Sequence, residues 1–125
     1  MREIKFRAWN APLKKMEYNS LNAIGFDGRV YYGNADITGF SENIMQYTGL
    51  KDKNGREIWE GDIRKDGWGR KFKVVYDNDL AAFYGEYING PSESLADCGP
   101  DSEYLGTVFE NPDLLEAASA DKEEL

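Results

Sequence analysis

The sequence predicts a mainly β, antiparallel fold, and three observations carry that prediction. Ile4, Phe6 and Ala8 alternate with Lys5, Arg7 and Trp9, and Phe72, Val74 and Tyr76 alternate with Lys73, Val75 and Asp77; this is the period-two pattern of strands that bury one face. Hairpin breakers recur between such runs, at Asp27-Gly28, Asn54-Gly55 and Gly61-Asp62. Helix signals converge only late in the chain, at Asn111-Pro112-Asp113.

In chain order, the first strand carries Ile4, Phe6 and Ala8 on its inner face and ends at Asn10-Ala11-Pro12. Residues 14–18 form its return strand, with Met16 and Tyr18 on one face, and Trp9 reads as the cover of a barrel end. Ile24 and Phe26 before Asp27-Gly28, with Val30, Tyr31 and Tyr32 after it, predict a second hairpin. Residues 35–43 read as a loop. Two apolar segments, 44–47 and 58–59, then flank a charged connection ending in Asn54-Gly55, which favours the positive φ of a type I′ or G1-bulge turn. Gly61-Asp62 turns the chain into Ile63.

The strand at 72–76 is the clearest of all, and Asn78-Asp79 turns it back into an antiparallel partner over residues 80–87, where Gly85 marks a bulge or bend. Asp77 and Asp79 straddle that turn and are expected to cap or solvate it. Residues 89–102, with Gly90-Pro91, Gly99-Pro100 and few large apolar side chains, read as one long loop. The last strand covers 103–109. Asn111 as N-cap, Pro112 at the first helical position and Asp113 in the first turn then predict a short helix from residue 112 to about 120. The tail over 116–125 frays.

Composition bounds the chemistry. A chain of 125 residues is one domain, and six Phe, eight Tyr and three Trp give it enough apolar bulk for a core. There is one cysteine, Cys98, and no histidine, so an intrachain disulfide, the usual zinc sets and any His-dependent triad are excluded. Cys98 has neither a histidine nor a nearby cation to activate it and reads as an incidental thiol. The carboxylate pairs Asp62 with Asp66 and Asp77 with Asp79 match no catalytic or metal spacing, and no P-loop, EF-hand or Gly-x-Ser-x-Gly run is present. No apolar stretch nears eighteen residues, so a soluble, cytoplasmic protein without membrane contact is expected. Charge is uneven. Before Val74 there are fourteen Lys and Arg against ten Asp and Glu, and from Val74 onward one against thirteen. With a formal net charge of −8, binding to nucleic acid through phosphate neutralisation does not fit.

The run QYTGLKDKNGREIWEGDI at 46–63, with REIKFRAW near the start and GTVFENPDLL near the end, resembles the YopX family of small phage and prophage proteins. The resemblance implies a small β-barrel and a homo-oligomer, and it brings no activity, cofactor or metal. Gln46, Tyr47, Thr48, Gly49 and Asp62 stand at motif positions without an assigned role; for Asp62 an Asx-type bond to its own backbone is expected. With the strand pattern, this gives a single domain over 1–125: a small antiparallel SH3-like barrel with a long late loop and a short C-terminal helix.

The function expected is that of a non-enzymatic, homo-oligomeric accessory binding module with no catalytic residue, its acidic half engaging a host protein. An alternative is a pocket for a nucleotide-type small anion. Trp68 sits between two glycines among Arg64, Lys65, Arg70 and Lys71, and an aromatic beside cations can stack on a ring while they hold a phosphate. The plain reading of the same loop is a hairpin tip whose indole folds back on the barrel. A carboxylate-dependent hydrolase is the third reading.

Overall fold

The computed structural model describes residues 3–18, 22–24, 27–32, 34–36 and 44–115. These fall in two compact units, Lys5–Gln46 on one hand and Met1–Ile4 with Tyr47–Leu125 on the other. Among the described residues every strand pairing is antiparallel, and the chain is mainly β.

In the Lys5–Gln46 unit, β1 (Phe6–Asn10) returns through a turn into β2 (Lys15–Glu17), with Trp9 opposite Met16. The turn places Lys14 at φ 52, and the Asn10 side chain accepts the Leu13 amide at 3.2 Å. β3 (Asn22–Ile24) and β4 (Val30–Tyr32) pair as expected around Asp27-Gly28, with Gly28 at φ 85. Within the predicted 35–43 loop a two-residue strand, β5 (Ala35–Asp36), adds to β4, and residues 37–43 lie outside the described ones.

One face assignment is reversed. Ile4 and Phe6 are exposed, and Arg7 is the buried residue of β1. Its guanidinium lies 5.9 Å from the Tyr18 ring centre and donates to the Tyr18 hydroxyl at 3.3 Å. An aromatic wall and a hydroxyl acceptor let a long charged side chain turn inward, which alternation alone does not foresee.

β6 (Ile44–Lys51) pairs at its start with β1 and, from Tyr47 onward, with β7 (Glu57–Trp59). The second unit continues through β8 (Asp62–Lys65), β9 (Lys71–Asp77), β10 (Ala82–Tyr87), β11 (Glu93–Ser94), α1 (Leu95–Cys98) and β12 (Glu103–Thr107). Its sheet has the order β11-β10-β9-β8-β12. The core is Ile58, Phe72, Val74, Tyr87, Leu95 and Cys98, with Leu50 and Phe83 packed against it.

Three expectations for this unit change. The predicted loop over 89–102 contains β11 and α1, and Leu95 and Cys98 bury themselves from that single helical turn. Two apolar residues three apart suffice to dock it, too few to show a periodicity. Gly85 makes no bulge, because the β9–β10 register runs through it unbroken from Ala82↔Asp77 to Tyr87↔Phe72. A Cβ there would stand 2.7 Å from Cys98 Sγ and 2.8 Å from Phe72 Cδ2, so the glycine lets α1 and Phe72 close on the strand. Cys98 is therefore a core residue, and burial, with the Glu93 carboxylate near, pushes its thiol up.

Asp77 caps its turn as expected, accepting the amides of Asp79 at 2.8 Å and Leu80 at 3.2 Å. A bulge falls in β12 between Tyr104 and Gly106. Helical residues begin at 113, one residue after the expected start at 112, and the Asn111 side chain reaches back to the Thr107 amide at 3.4 Å rather than forward. The remainder of that helix and the 116–125 tail lie outside the described residues. Among the described residues no helix is long and apolar enough to cross a membrane.

Candidate functional site

The second unit contains the same five-residue turn twice: Asp52-Lys53-Asn54-Gly55-Arg56 joins β6 to β7, and Asp66-Gly67-Trp68-Gly69-Arg70 joins β8 to β9. In the first, Asp52 Oδ1 accepts the amides of Asn54 at 2.9 Å and Arg56 at 3.0 Å. In the second, Asp66 Oδ1 accepts those of Trp68 and Arg70, both at 2.9 Å. Each aspartate amide donates to the arginine carbonyl at 2.9 Å, and the fourth-residue glycines, Gly55 at φ 83 and Gly69 at φ 84, donate back to the aspartate carbonyls. Since Asn54 does not take positive φ, this is the G1-bulge form of the hairpin turn. The arginine of each turn lies over a tyrosine ring: Arg56 is 3.6 Å from the Tyr104 centroid, and Arg70 is 4.6 Å from that of Tyr87.

The second oxygen of each aspartate separates the two turns. Asp52 Oδ2 meets Arg64 Nη2 at 2.5 Å, and Arg64 is wholly buried. Arg64 Nε donates to Ser102 Oγ at 2.6 Å, Nη2 also reaches the Ser102 carbonyl at 3.3 Å, and Nη1 stands 3.8 Å from Asp62 Oδ2. The sequence places Arg64 in a surface ligand set, and the structure corrects this: it points into the unit and ties β8 to the 52–56 turn and to Ser102. Asp66 Oδ2 instead accepts Arg70 Nε at 2.9 Å and the Tyr87 hydroxyl at 2.8 Å. Burial alone would raise both carboxyls. For Asp52 the Arg56 amide, the Arg64 guanidinium and the Asn54 amide reverse this, and for Asp66 the Arg70 amide, the Tyr87 hydroxyl, the Trp68 amide and the Arg70 guanidinium do, so both lie below the usual carboxylate range. Burial, then the bond to Asp66, pushes the Tyr87 phenol up.

The motif residues are structural in the same sense. Between Tyr47↔Trp59 and Lys51↔Glu57 the β6–β7 ladder is broken, and Gly49 takes φ 86 there. Thr48 Oγ1 bridges the break by donating to the Ile58 carbonyl at 2.6 Å and accepting the Leu50 amide at 3.2 Å. Tyr47 packs on Trp59 with ring centroids 5.5 Å apart, and Gln46 is half-buried opposite Phe6. Asp62 Oδ2 accepts the Trp59 amide at 2.9 Å; the expected bond to backbone is present and reaches back across the turn.

What faces solvent lies at the other turn. Trp68 is 87% exposed, so its indole does not fold back on the unit. It borders a hollow of about 200 Å³ whose lining carries Asp66, Glu93, Asp97 and Asp101, with Arg70 as the cation. A second cleft, about 250 Å³, also borders Arg70 and Tyr87 and is lined by Lys71, Asn89 and Gly90. The predicted set is thus dispersed: Arg64 is inside, Lys65 faces Glu103 at 3.8 Å, Arg70 lines both hollows, Lys71 lines only the second and Trp68 only the first. Sequence reasoning missed Glu93, Asp97, Asp101 and Tyr87. The repeated Asp-x-x-Gly-Arg spacing could have shown that the Trp68 turn is rigid.

Comparison with protein families matches residues 5–116 to the family described as YopX protein. Among solved structures the chain is similar to protein EF1440 from Enterococcus faecalis, with a TM-score of 0.62 and 27% identity over 92% of this chain and 99% of that one. No curated protein matches.

Proposed function

The chain belongs to the YopX family, and on that footing we propose that it is a non-enzymatic phage or prophage accessory module that binds a basic segment of a host protein at the Trp68 turn. One observation carries the reading: Trp68 stands 87% exposed on a turn fixed by four hydrogen bonds, at the rim of a hollow walled by four carboxylates. A tryptophan presented to water by a rigid turn forfeits the burial that its ring would gain elsewhere. Trp is also enriched among the residues that dominate protein interfaces. Its face attracts a guanidinium or ammonium, and Glu93, Asp97 and Asp101 supply the opposite charge beside it. The module acts as a homo-oligomer in the host cytoplasm, which multiplies weak contacts into avidity.

The test is a titration of the full chain with an arginine-rich peptide, an acidic peptide of equal length serving as control, with mass by light scattering in parallel. Binding of the basic peptide is expected to weaken steeply with salt and at least tenfold in Trp68→Ala. Equal affinity of wild type and Trp68→Ala would sink the proposal, as would salt-independent binding. A monomer at working concentration would remove its oligomeric part.

A further inference from the structure

We propose that the cleft between the 66–70 turn and the bend after β10 is a separate small-molecule site, which takes a compact phosphomonoester of about sugar phosphate size. The topology creates it. β9 begins where β10 ends, with Phe72 opposite Tyr87, and the Ile88 amide extends the pairing to the Lys71 carbonyl at 3.4 Å. Two loops therefore rise from one end of the sheet, and the space between them is about 250 Å³. That is just under the usual range for drug-sized ligands, so a small, polar molecule fits it best.

Its lining adds Lys71 to Arg70, whereas that of the Trp68 hollow sets carboxylates around the same arginine. Among the described residues Arg70 and Lys71 are the cations of the lining, and no carboxylate joins them there. Lys71 forms no ion pair among the described residues and is half-buried, so its ammonium is uncommitted. Arg70 is already oriented: Nε is bonded to Asp66, Nη2 is 3.5 Å from Glu93, and the guanidinium carbon lies over the Tyr87 ring, 4.6 Å from its centroid. A planar fork held in place loses little freedom when it takes up a phosphate, and its Nη1 is left to donate.

Two exposed glycines of the lining leave an anion room to approach the backbone. Gly69 and Gly90 present backbone without side chains; a Cβ on Gly69 would meet nothing within 4 Å, and one on Gly90 only Tyr87 Cβ at 3.9 Å. Asn89, exposed beside them, adds an amide. Ring stacking is not on offer, since Trp68 is outside this lining and Tyr87 carries Arg70 on its ring and Phe72 at 5.2 Å. The ligand class narrows accordingly, from a nucleotide held by its base to a phosphomonoester held by its phosphate.

The two hollows share Arg70 and Tyr87 but respond oppositely to Glu93, which separates this proposal from the protein-binding one. Calorimetry on the full chain with ribose 5-phosphate and with inorganic phosphate tests it. Lys71→Ala is expected to weaken ribose 5-phosphate about tenfold without moving the unliganded melting point. Glu93→Gln should tighten it, by removing a carboxylate beside Arg70, while weakening the basic peptide. Binding of inorganic phosphate as tightly as the sugar phosphate would reduce the site to a phosphate cradle and overturn the size assignment. No saturable binding of either up to roughly 10 mM, or affinity unchanged in Lys71→Ala, would overturn the proposal whatever the fate of the peptide site.

Discussion

In both the 52–56 and the 66–70 turn an aspartate oxygen gathers two backbone amides, a glycine takes the left-handed position and an arginine lies over a tyrosine. The first turn gives its remaining carboxylate oxygen to a wholly buried arginine, so it is tied to β8 and Ser102 and has little left to offer a ligand. The second gives that oxygen to the exposed Arg70 and to the hydroxyl of the buried Tyr87, and its central residue is a tryptophan where the first has Asn54. One local device thus serves as a brace or as a mount, depending on what its free oxygen meets.

Removing the brace should produce the largest effect. Arg64→Ala leaves Asp52 and Asp62 buried without their cation and is expected to destabilise the chain by about 3–5 kcal/mol in urea unfolding. A loss below about 1 kcal/mol would mean that water replaces the guanidinium and that the first turn is no brace. Asp66→Ala at the mount should cost less, about 2 kcal/mol, since it frees two amides beside solvent and leaves the Tyr87 hydroxyl unpaired.

Acid should expose both turns together. The folded pKa values of Asp52 and Asp66 are depressed from the ordinary 3.8, so the stability that they confer is complete above that value and is lost as pH falls through the folded values. Unfolding midpoints followed downward from pH 5 should therefore stay nearly level on account of these two groups until about pH 4 and then drop. In Asp66→Ala the drop should be shallower, with Asp52 alone remaining; an identical slope would remove Asp66 from this account.

The glycines give a smaller, matched pair. Gly55→Ala and Gly69→Ala each place a Cβ in open space at φ 83 and φ 84, so only backbone strain counts, about 1 kcal/mol in each. Unequal losses by more than about 0.5 kcal/mol would show that the turns are not equivalent locally, which the hydrogen-bond pattern denies.

Much of this architecture is legible in sequence because it is local. The alternation at Phe72 and Val74, the breakers Asp27-Gly28 and Asn54-Gly55, and the helix start after Asn111 each act within a few residues, and each stands in the structure. What escapes depends on partners far along the chain. Arg64 looks like one of a surface cluster until Ser102, 38 residues away, and Asp52 are brought to it. Arg7 looks solvated until Tyr18 faces it, and Gly85 looks like a bulge until Cys98 arrives above it. The site divides in the same way. The two glycines beside Trp68 mark a loop tip, but the sequence reading that its indole folds back is overturned by its 87% exposure, and the carboxylates around it come from residues 93–101, whose single helical turn is too short to announce itself.

The smallest expected change in stability is also the one that bears most on function. Trp68→Ala removes a side chain that is 87% exposed, while Asp66 continues to accept the amides at positions 68 and 70 and Gly69 keeps its conformation. Unfolding free energy should therefore stay within about 0.5 kcal/mol of wild type. Because the mount survives, a drop in affinity for the basic peptide in this variant reports the indole itself. Substituting Asn54 by Ala on the first turn is the matched control: it too should leave stability nearly unchanged, and peptide binding with it. If both variants bound the peptide as wild type does, the exposed tryptophan would be no more than the tip of a second brace, and the contrast between the turns would hold for burial and not for recognition.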